Sequence, residues 1–457
     1  MRIDRTVRRL RPPVRVRRFA PRLPRVRVPR RGALAYLAMM GPGLITASAG
    51  NDAGGIATYA QAGAAYGYKL LWAMVITAVS LIVVQEMCAR MGAVTGKGLS
   101  DLIREEFGIG WATLAMVGLL VANGAITISE FVGINAATRV VAGERALRGT
   151  AVGALLPYLV VALSAIGLWW LVTKGSRGPV ERVLLVMTLV FFAYIPAALK
   201  GERDWGAVAH AVVTPTLGGP KDIGFIAFLI ALVGTTISPY MQFFVQSSVV
   251  EQGATMSTYR QTRDSVVIGS LFAILVAMFI IVATAAALYG KVDPANLSDA
   301  GAYAGALEPV LGSWAKILFA VGLFGASLLA AAVLPLSTAF AVCEVFGFES
   351  GVDKTFQEAP VFNGIFTGLI ALAVLVSLAV PAQALVLVLV QLQAINGIVL
   401  TMVLVFVLRL VNNRRLMGRH TNNALFNAIA WASTAVLAVL SALYIPGVLF
   451  HLGPAAG

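Results

Sequence analysis

Charged residues make up only 12% of this 457-residue chain, which excludes an ordinary soluble globule, whose surface needs about twice that share. Cysteine is nearly missing. Cys88 and Cys343 stand alone, in or beside apolar segments, so neither a disulfide framework nor a thiolate metal centre is expected. The three histidines, His210, His420 and His451, lie far apart in loops or near the chain end, and no His-Glu-x-x-His or Gly-x-Ser-x-Gly string occurs. Those absences remove the common signatures of a metallopeptidase or a serine hydrolase. The chain is therefore expected not to be an enzyme and to hold no resident cofactor.

Acidic residues are also few, 21 against 35 Lys and Arg, for a net charge of +14. Spread over a surface, such a surplus would point to nucleic acid. It is not spread: residues 1–31 hold thirteen arginines and one acid, Asp4, and so carry +12 of the +14. This arm, residues 1–33, is broken by prolines and lacks the apolar run of a secretory signal. It is expected to be disordered and to keep the N-terminus in the cytoplasm against anionic lipid, with no nucleic-acid partner.

Apolar residues are what the chain has in quantity, 59% of the total. They run in segments of about 20, apolar on every side, the length that crosses a bilayer. Eleven spans are expected, near 34–62, 69–94, 111–142, 152–173, 179–199, 223–249, 265–289, 314–343, 361–380, 384–408 and 424–447. The fold class is then an all-α polytopic membrane protein with one membrane domain, 34–447, and a short tail, 448–457. About 25 Lys and Arg fall on the side of the arm and about 8 on the other, which puts the N-terminus inside and the C-terminus outside a cell's inner (plasma) membrane. The longest connections are 200–222, 290–313 and 344–360. Outer loop 290–312 sets Asp293, Asp299 and Glu308 against Lys291, which suits a cation-collecting mouth or simple solvation.

Two spans carry interruptions. In the first, Gly50-Asn-Asp52-Ala-Gly-Gly55 places a carboxylate at membrane depth, costly unless it lines a wet cavity or meets a cation, and Gly54-Gly55 are expected to break the helix. In the sixth, Pro239 removes a backbone donor, so a break is expected near Thr235–Ser238. If spans 1–5 (about 34–199) and 6–10 (about 223–408) are two inverted repeats, each half opens with a broken helix and a substrate would sit between them, with Asp52 facing Ser238.

The ordered run Gly41-Pro-Gly43, Gln61-Ala-Gly-Ala64, Gly67-Tyr68, Leu71-Trp72, Gln85 and Gly92-Ala-Val-Thr-Gly-Lys97 with Leu99 resembles the natural resistance-associated macrophage protein (NRAMP) family of divalent-metal transporters, over nearly all of 34–447. The resemblance implies the LeuT-type fold of two inverted five-helix repeats, with helices 1 and 6 broken, an eleventh helix (about 424–447), and alternating access to a metal. It also implies site residues. The family's Asp-Pro-Gly-Asn corresponds to Asp52-Ala53-Gly54-Gly55, and its Ala-x-x-Met-Pro-His to Thr235-Thr236-Ile237-Ser238-Pro239-Tyr240. The metal site is expected at Asp52, Gly55, Thr235 and Ser238, with Ala53, Tyr240, Glu130, Gln393 and Asn396 as further candidates.

The departures bear on the ion. An amide is lost at Gly55 and a thioether at Ser238, which leaves oxygen donors and a wider site, suited to a hydrated hard ion. The chain is thus similar to the prokaryotic NRAMP-related magnesium transporters. Import of Mg²⁺ is expected, with Mn²⁺ admissible. Proton coupling is not expected, because Tyr240 stands at the family's histidine and Thr127 at an acid one turn before Glu130. The alternatives are a proton-coupled Mn²⁺/Fe²⁺ transporter of the NRAMP type and an amino-acid carrier of the same fold. Glu86 and Arg90, four residues apart, suit a structural ion pair. A monomer is expected.

Overall fold

A segment apolar on all sides must satisfy its backbone internally, and the α-helix does so within one segment. The computed structural model describes residues 41–143, 150–175, 177–188, 204–216, 223–293, 313–379 and 385–449, and every regular element among them is helical. In order these are α1 (Gly41–Ala49), α2 (Ala53–Tyr66), α3 (Leu71–Thr95), α4 (Leu99–Phe107), α5 (Ile109–Ala142), α6 (Ala151–Lys174), α7 (Arg177–Thr188) and α8 (Trp205–Val213). Then follow α9 (Ile223–Thr236), α10 (Pro239–Glu251), α11 (Tyr259–Leu288), α12 (Ser313–Phe346), α13 (Pro360–Ala379), α14 (Leu385–Val411), α15 (Arg414–Met417) and α16 (Ala424–Leu449). Among the described residues, seven spans are long and apolar enough to cross a bilayer: those of α3, α5, α6, α11, α12 and α13, and the pair α9–α10. Their outward sides are apolar too, with Val121, Leu163 and Leu375 each 67% exposed. An exposed aliphatic belt of this kind is stable only against lipid.

The arm, most of loop 290–312, the second half of the expected fifth span and the tail lie outside the described residues, as does the start of the first span. The count of eleven therefore rests partly on those segments. Two connections hold a helix longer than a single turn: 200–222 contains α8, and α4 lies between the second and third spans. His210 is accordingly helical rather than in a loop. Both helices are nine residues long, too short for a span.

Close approach of backbones packs the first span onto α11. A Cβ on Gly43 would lie 2.5 Å from Val266 N, and one on Gly269 would lie 2.6 Å from Leu44 Cα. Further along, a Cβ on Gly63 would lie 2.5 Å from the Ile281 carbonyl oxygen. Small residues at such crossings let helices meet at backbone distance, where dispersion and not the hydrophobic effect holds a membrane bundle. At the end of the bundle shared by α4 and α15, polar contacts take over. Arg90 Nη2 reaches Glu86 Oε2 at 3.1 Å and Arg90 Nη1 donates to the His420 carbonyl at 2.6 Å, while Tyr259 donates to Glu86. Nearby, Glu344 accepts from the Ser100 N–H at 3.2 Å and from Ser247, so α12 caps α4 and holds α10.

Candidate metal site

Asp52 is the N-cap of α2. Its extended backbone (φ −66°, ψ 180°) ends the turn that follows α1, and its Oδ1 accepts the Gly55 N–H at 2.6 Å. A short carboxylate there satisfies one of the orphan N–H groups of the helix start and sits at the positive end of its dipole. The break is thus Gly50–Asp52. Gly54 and Gly55 lie inside α2 and do not break it, contrary to the expectation above. Asn51 Nδ2 donates to the Ala273 carbonyl at 3.1 Å, which ties the turn to α11.

The sixth span breaks at Ile237–Ser238, between α9 and α10, with Pro239 as the first residue of α10. Proline has no N–H for the Thr235 carbonyl four residues before it. Ser238 Oγ fills that gap, donating to the Thr235 carbonyl at 3.0 Å and the Gly234 carbonyl at 3.2 Å. The Ser238 hydroxyl is therefore turned back on its own helix end rather than toward Asp52.

The two breaks meet through other groups. Tyr59 and Thr236 share a hydroxyl–hydroxyl bond of 2.9 Å. The position a Cβ would take on Gly55 is 2.8 Å from the Gly50 carbonyl, 3.0 Å from Thr235 Oγ1 and 3.2 Å from Asp52 Oδ1. Gly55 is thus the gap through which Thr235 approaches Asp52. From α5, Glu130 Oε2 accepts the Ala53 N–H at 3.0 Å, and Ser129 Oγ donates to its other oxygen at 3.4 Å. Two carboxylates, Asp52 and Glu130, therefore share the first turn of α2. Tyr240, on α10, is fully buried, and its hydroxyl makes no hydrogen bond among the described residues. Ser337 Oγ donates to the Tyr240 carbonyl at 3.0 Å, seating this turn on α12.

Asp52, Glu130, Thr235, Ser238 and Tyr240 all have zero exposure, so the site is closed to both sides. A cleft of about 320 Å³, lined by Tyr66, Tyr68, Lys69, His210, Thr216 and Tyr289, lies at the opposite end of α2, about 20 Å away at 1.5 Å per residue. Ala53 lends its N–H to Glu130 but no side-chain donor. Asn396 is buried on α14, where neighbouring Gly397 packs against Ile230 and Gly234, just before Thr235. The Gln393 side chain lies outside the described residues. Among the described residues, no cluster of three His, Cys, Asp or Glu exists, and both cysteines are free and buried. Any cation at the breaks would complete its shell from hydroxyls, carbonyls or water. Three neighbours of the breaks were not singled out as site residues from the sequence: Tyr59, two turns after Asp52; Met241, one turn after Ser238; and Gln85 on α3.

A family model described as natural resistance-associated macrophage protein-like matches residues 43–446. The chain is 27% identical over 424 residues to the divalent metal cation transporter MntH of Klebsiella pneumoniae, covering 90% of this chain and 95% of that one. A manganese transporter of Eremococcus coleocola superposes with a TM-score of 0.74 at 19% identity, covering 94% and 91% of the two chains. MhsT in complex with L-phenylalanine does so at 0.57 and 13% identity, covering 90% and 98%. Both likenesses concern the fold, which is the LeuT-type helical transporter fold expected above. The chain accordingly belongs to the natural resistance-associated macrophage protein family and is a multi-pass membrane transporter rather than an enzyme.

Proposed function

We propose that this chain carries divalent metal ions across the membrane by alternating access, with Asp52 as the charge that meets the ion. The observation that carries the proposal is the crossing of two broken helices at a buried carboxylate, Asp52, with Thr235 and a second carboxylate, Glu130, beside it. Helix ends supply polar backbone at membrane depth without lipid contact, and a cation is the partner that offsets a buried carboxylate there. Tyr240 and Tyr59 suit hydrogen bonds to water kept by the ion.

The relatives' names, a divalent metal cation transporter and a manganese transporter, favour the Mn²⁺/Fe²⁺ reading over the magnesium preference expected from Gly55 and Ser238. Manganese also fits the donors, since it accepts carboxylate, carbonyl and water. Mg²⁺ is the second reading, favoured by the absence of sulfur at position 238. The membrane potential alone drives a divalent cation inward, at about 2.3 kcal/mol per charge per 100 mV, so proton coupling is not needed in this reading. The arm then lies on the cytoplasmic face against anionic lipid, and the chain acts as a monomer. Uptake of Mn²⁺, Mg²⁺, Cd²⁺ and alanine into proteoliposomes tests the proposal. Divalent uptake that Asp52→Ala abolishes supports it, and alanine uptake without metal uptake overturns it.

A further inference from the structure

Three polar side chains follow one another along α10 from the break of the sixth span: Ser238, Gln242 and Gln246, each four residues after the last. Four residues is about one turn, so they form one stripe, and all three are completely buried. The Gln242 amide donates to the Ser238 carbonyl at 2.6 Å. Buried polar groups inside a membrane protein are expensive, and they commonly mark the route of an ion. The stripe ends about 12 Å from Ser238, at the α4 end of the bundle. There Gln246 Nε2 donates to the Lys97 carbonyl at 2.9 Å. The carboxyl carbon of Glu344, from α12, lies 2.0 Å from the position that a Cβ on the next residue, Gly98, would take. Both side chains therefore end on the Lys97–Gly98 peptide.

Glu344 caps α4, but it also lacks a counter-charge. It makes no ion pair among the described residues, and the basic residues beside it are paired elsewhere, Lys97 with Glu105 and Arg104 with Asp101 at 3.1 Å. Gln246 Oε1 is buried and has no hydrogen-bond partner among the described residues. Buried polar atoms are nearly always paired, and one that is not is open to a ligand. Glu344 itself is part-exposed, so the cluster opens at the membrane face.

We propose that Glu344, Gln246 and Ser100 form a second divalent-cation station, separate from Asp52, on the side of the membrane that the Lys and Arg count places in the cytoplasm. Its donors are carboxylate, amide and hydroxyl oxygens, a set that suits Mn²⁺ or Mg²⁺ with part of its water retained. Ser247 and the Ser100 N–H hold the two carboxylate oxygens in place, and each oxygen keeps a lone pair for the metal. The ion supplies the positive charge that Glu344 lacks. An ion leaving Asp52 then moves along the Gln242–Gln246 stripe to a second acid rather than straight into water.

This inference rests on the transport reading above, and the test separates the two. Mn²⁺ bound at saturation to the full-length protein in nanodiscs is counted by equilibrium dialysis for the wild type, Asp52→Ala, Glu344→Gln and Glu105→Gln. Gln keeps an acceptor at position 344, so α4 stays capped and only the charge is lost. The wild type binds two ions, and Asp52→Ala and Glu344→Gln bind one each. Glu105→Gln, at an exposed acid of the same helix α4, still binds two. The affinity of the station falls in Glu344→Gln by more than the about tenfold that changes around a metal's ligands cost. A wild type that binds one ion, or a Glu344→Gln protein that still binds two, overturns the station and leaves divalent transport in place. Two ions retained in Asp52→Ala, with uptake intact, overturn the transport reading instead. If Glu344→Gln fails to fold, Asp52→Ala decides: one bound ion supports the station, and none overturns it.

Discussion

Gly55→Ala adds a single carbon where the two broken helices cross. That carbon would sit 2.8 Å from the Gly50 carbonyl, 3.0 Å from Thr235 Oγ1 and 3.2 Å from Asp52 Oδ1. Thr235 can turn its side chain away, but the Gly50 carbonyl is backbone in a turn pinned by Asn51 and moves only with the whole break. Overpacking of a well-filled site costs about 1–3 kcal/mol, and about 2 kcal/mol is roughly a thirtyfold change in a two-state population. That cost falls on the closed state, in which the helices touch. Turnover in proteoliposomes should therefore fall about thirtyfold, while the apparent affinity for the metal, set by Asp52, changes far less. Size-exclusion behaviour should stay normal, since an open conformation relieves the contact. Wild-type turnover in Gly55→Ala would refute the claim that this close approach matters. The same geometry bears on the double substitution Gly55→Asn with Ser238→Met, which would bring back the amide and the thioether that the resemblance places at those positions. The amide arrives with a Cβ that the closed site cannot hold, so turnover should drop before any gain in Mn²⁺ or Cd²⁺ preference is seen.

Asp52→Ala should abolish uptake of every divalent ion tested while the protein remains folded, measured by flux and by size exclusion. Glu130→Ala leaves the Ala53 N–H buried without an acceptor and should lower stability by about 1–3 kcal/mol, read as a fall in the thermal midpoint, whereas Glu130→Gln keeps an acceptor and should recover most of the loss. With a pH-sensitive dye on either face of the vesicles, metal entry should leave the dye signal flat, and acidification that scales with flux would show proton coupling.

What was legible in the sequence was what is signalled locally. A carboxylate among glycines and a proline after serine each mark a helix end within four residues, so Asp52 and the sixth-span break could be found without coordinates. The error over Gly54-Gly55 has a physical source: glycine signals either a break or a close approach, and the strand of chain it must admit, here Gly50 and Thr235, is distant in sequence or hidden by the turn. The turned-back Ser238 follows from Pro239's missing N–H and was available to reasoning, but hydroxyls that repair a helix end look the same in sequence as hydroxyls that face a ligand. Ser247 and Glu344 were invisible as a pair because 97 residues separate them and each alone reads as an ordinary polar residue near a helix end. The short helices α4 and α8 escaped because nine residues give two and a half turns of pattern at best.

Gly43 and Gly269 face each other across α1 and α11 with no space for a side chain on either, and Gly63 repeats the arrangement on α2. These positions carry no chemistry, yet a survey of variants would mark them as intolerant as Asp52. The two kinds of failure would differ in the cell. Changes at the crossing yield protein that reaches the membrane and does not work. Changes at the glycine contacts, where the cost is met at assembly, yield protein that is cleared before it can be assayed. Abundance measured beside flux would therefore sort the inactive variants of this transporter into those that inform on its ion and those that inform only on its construction.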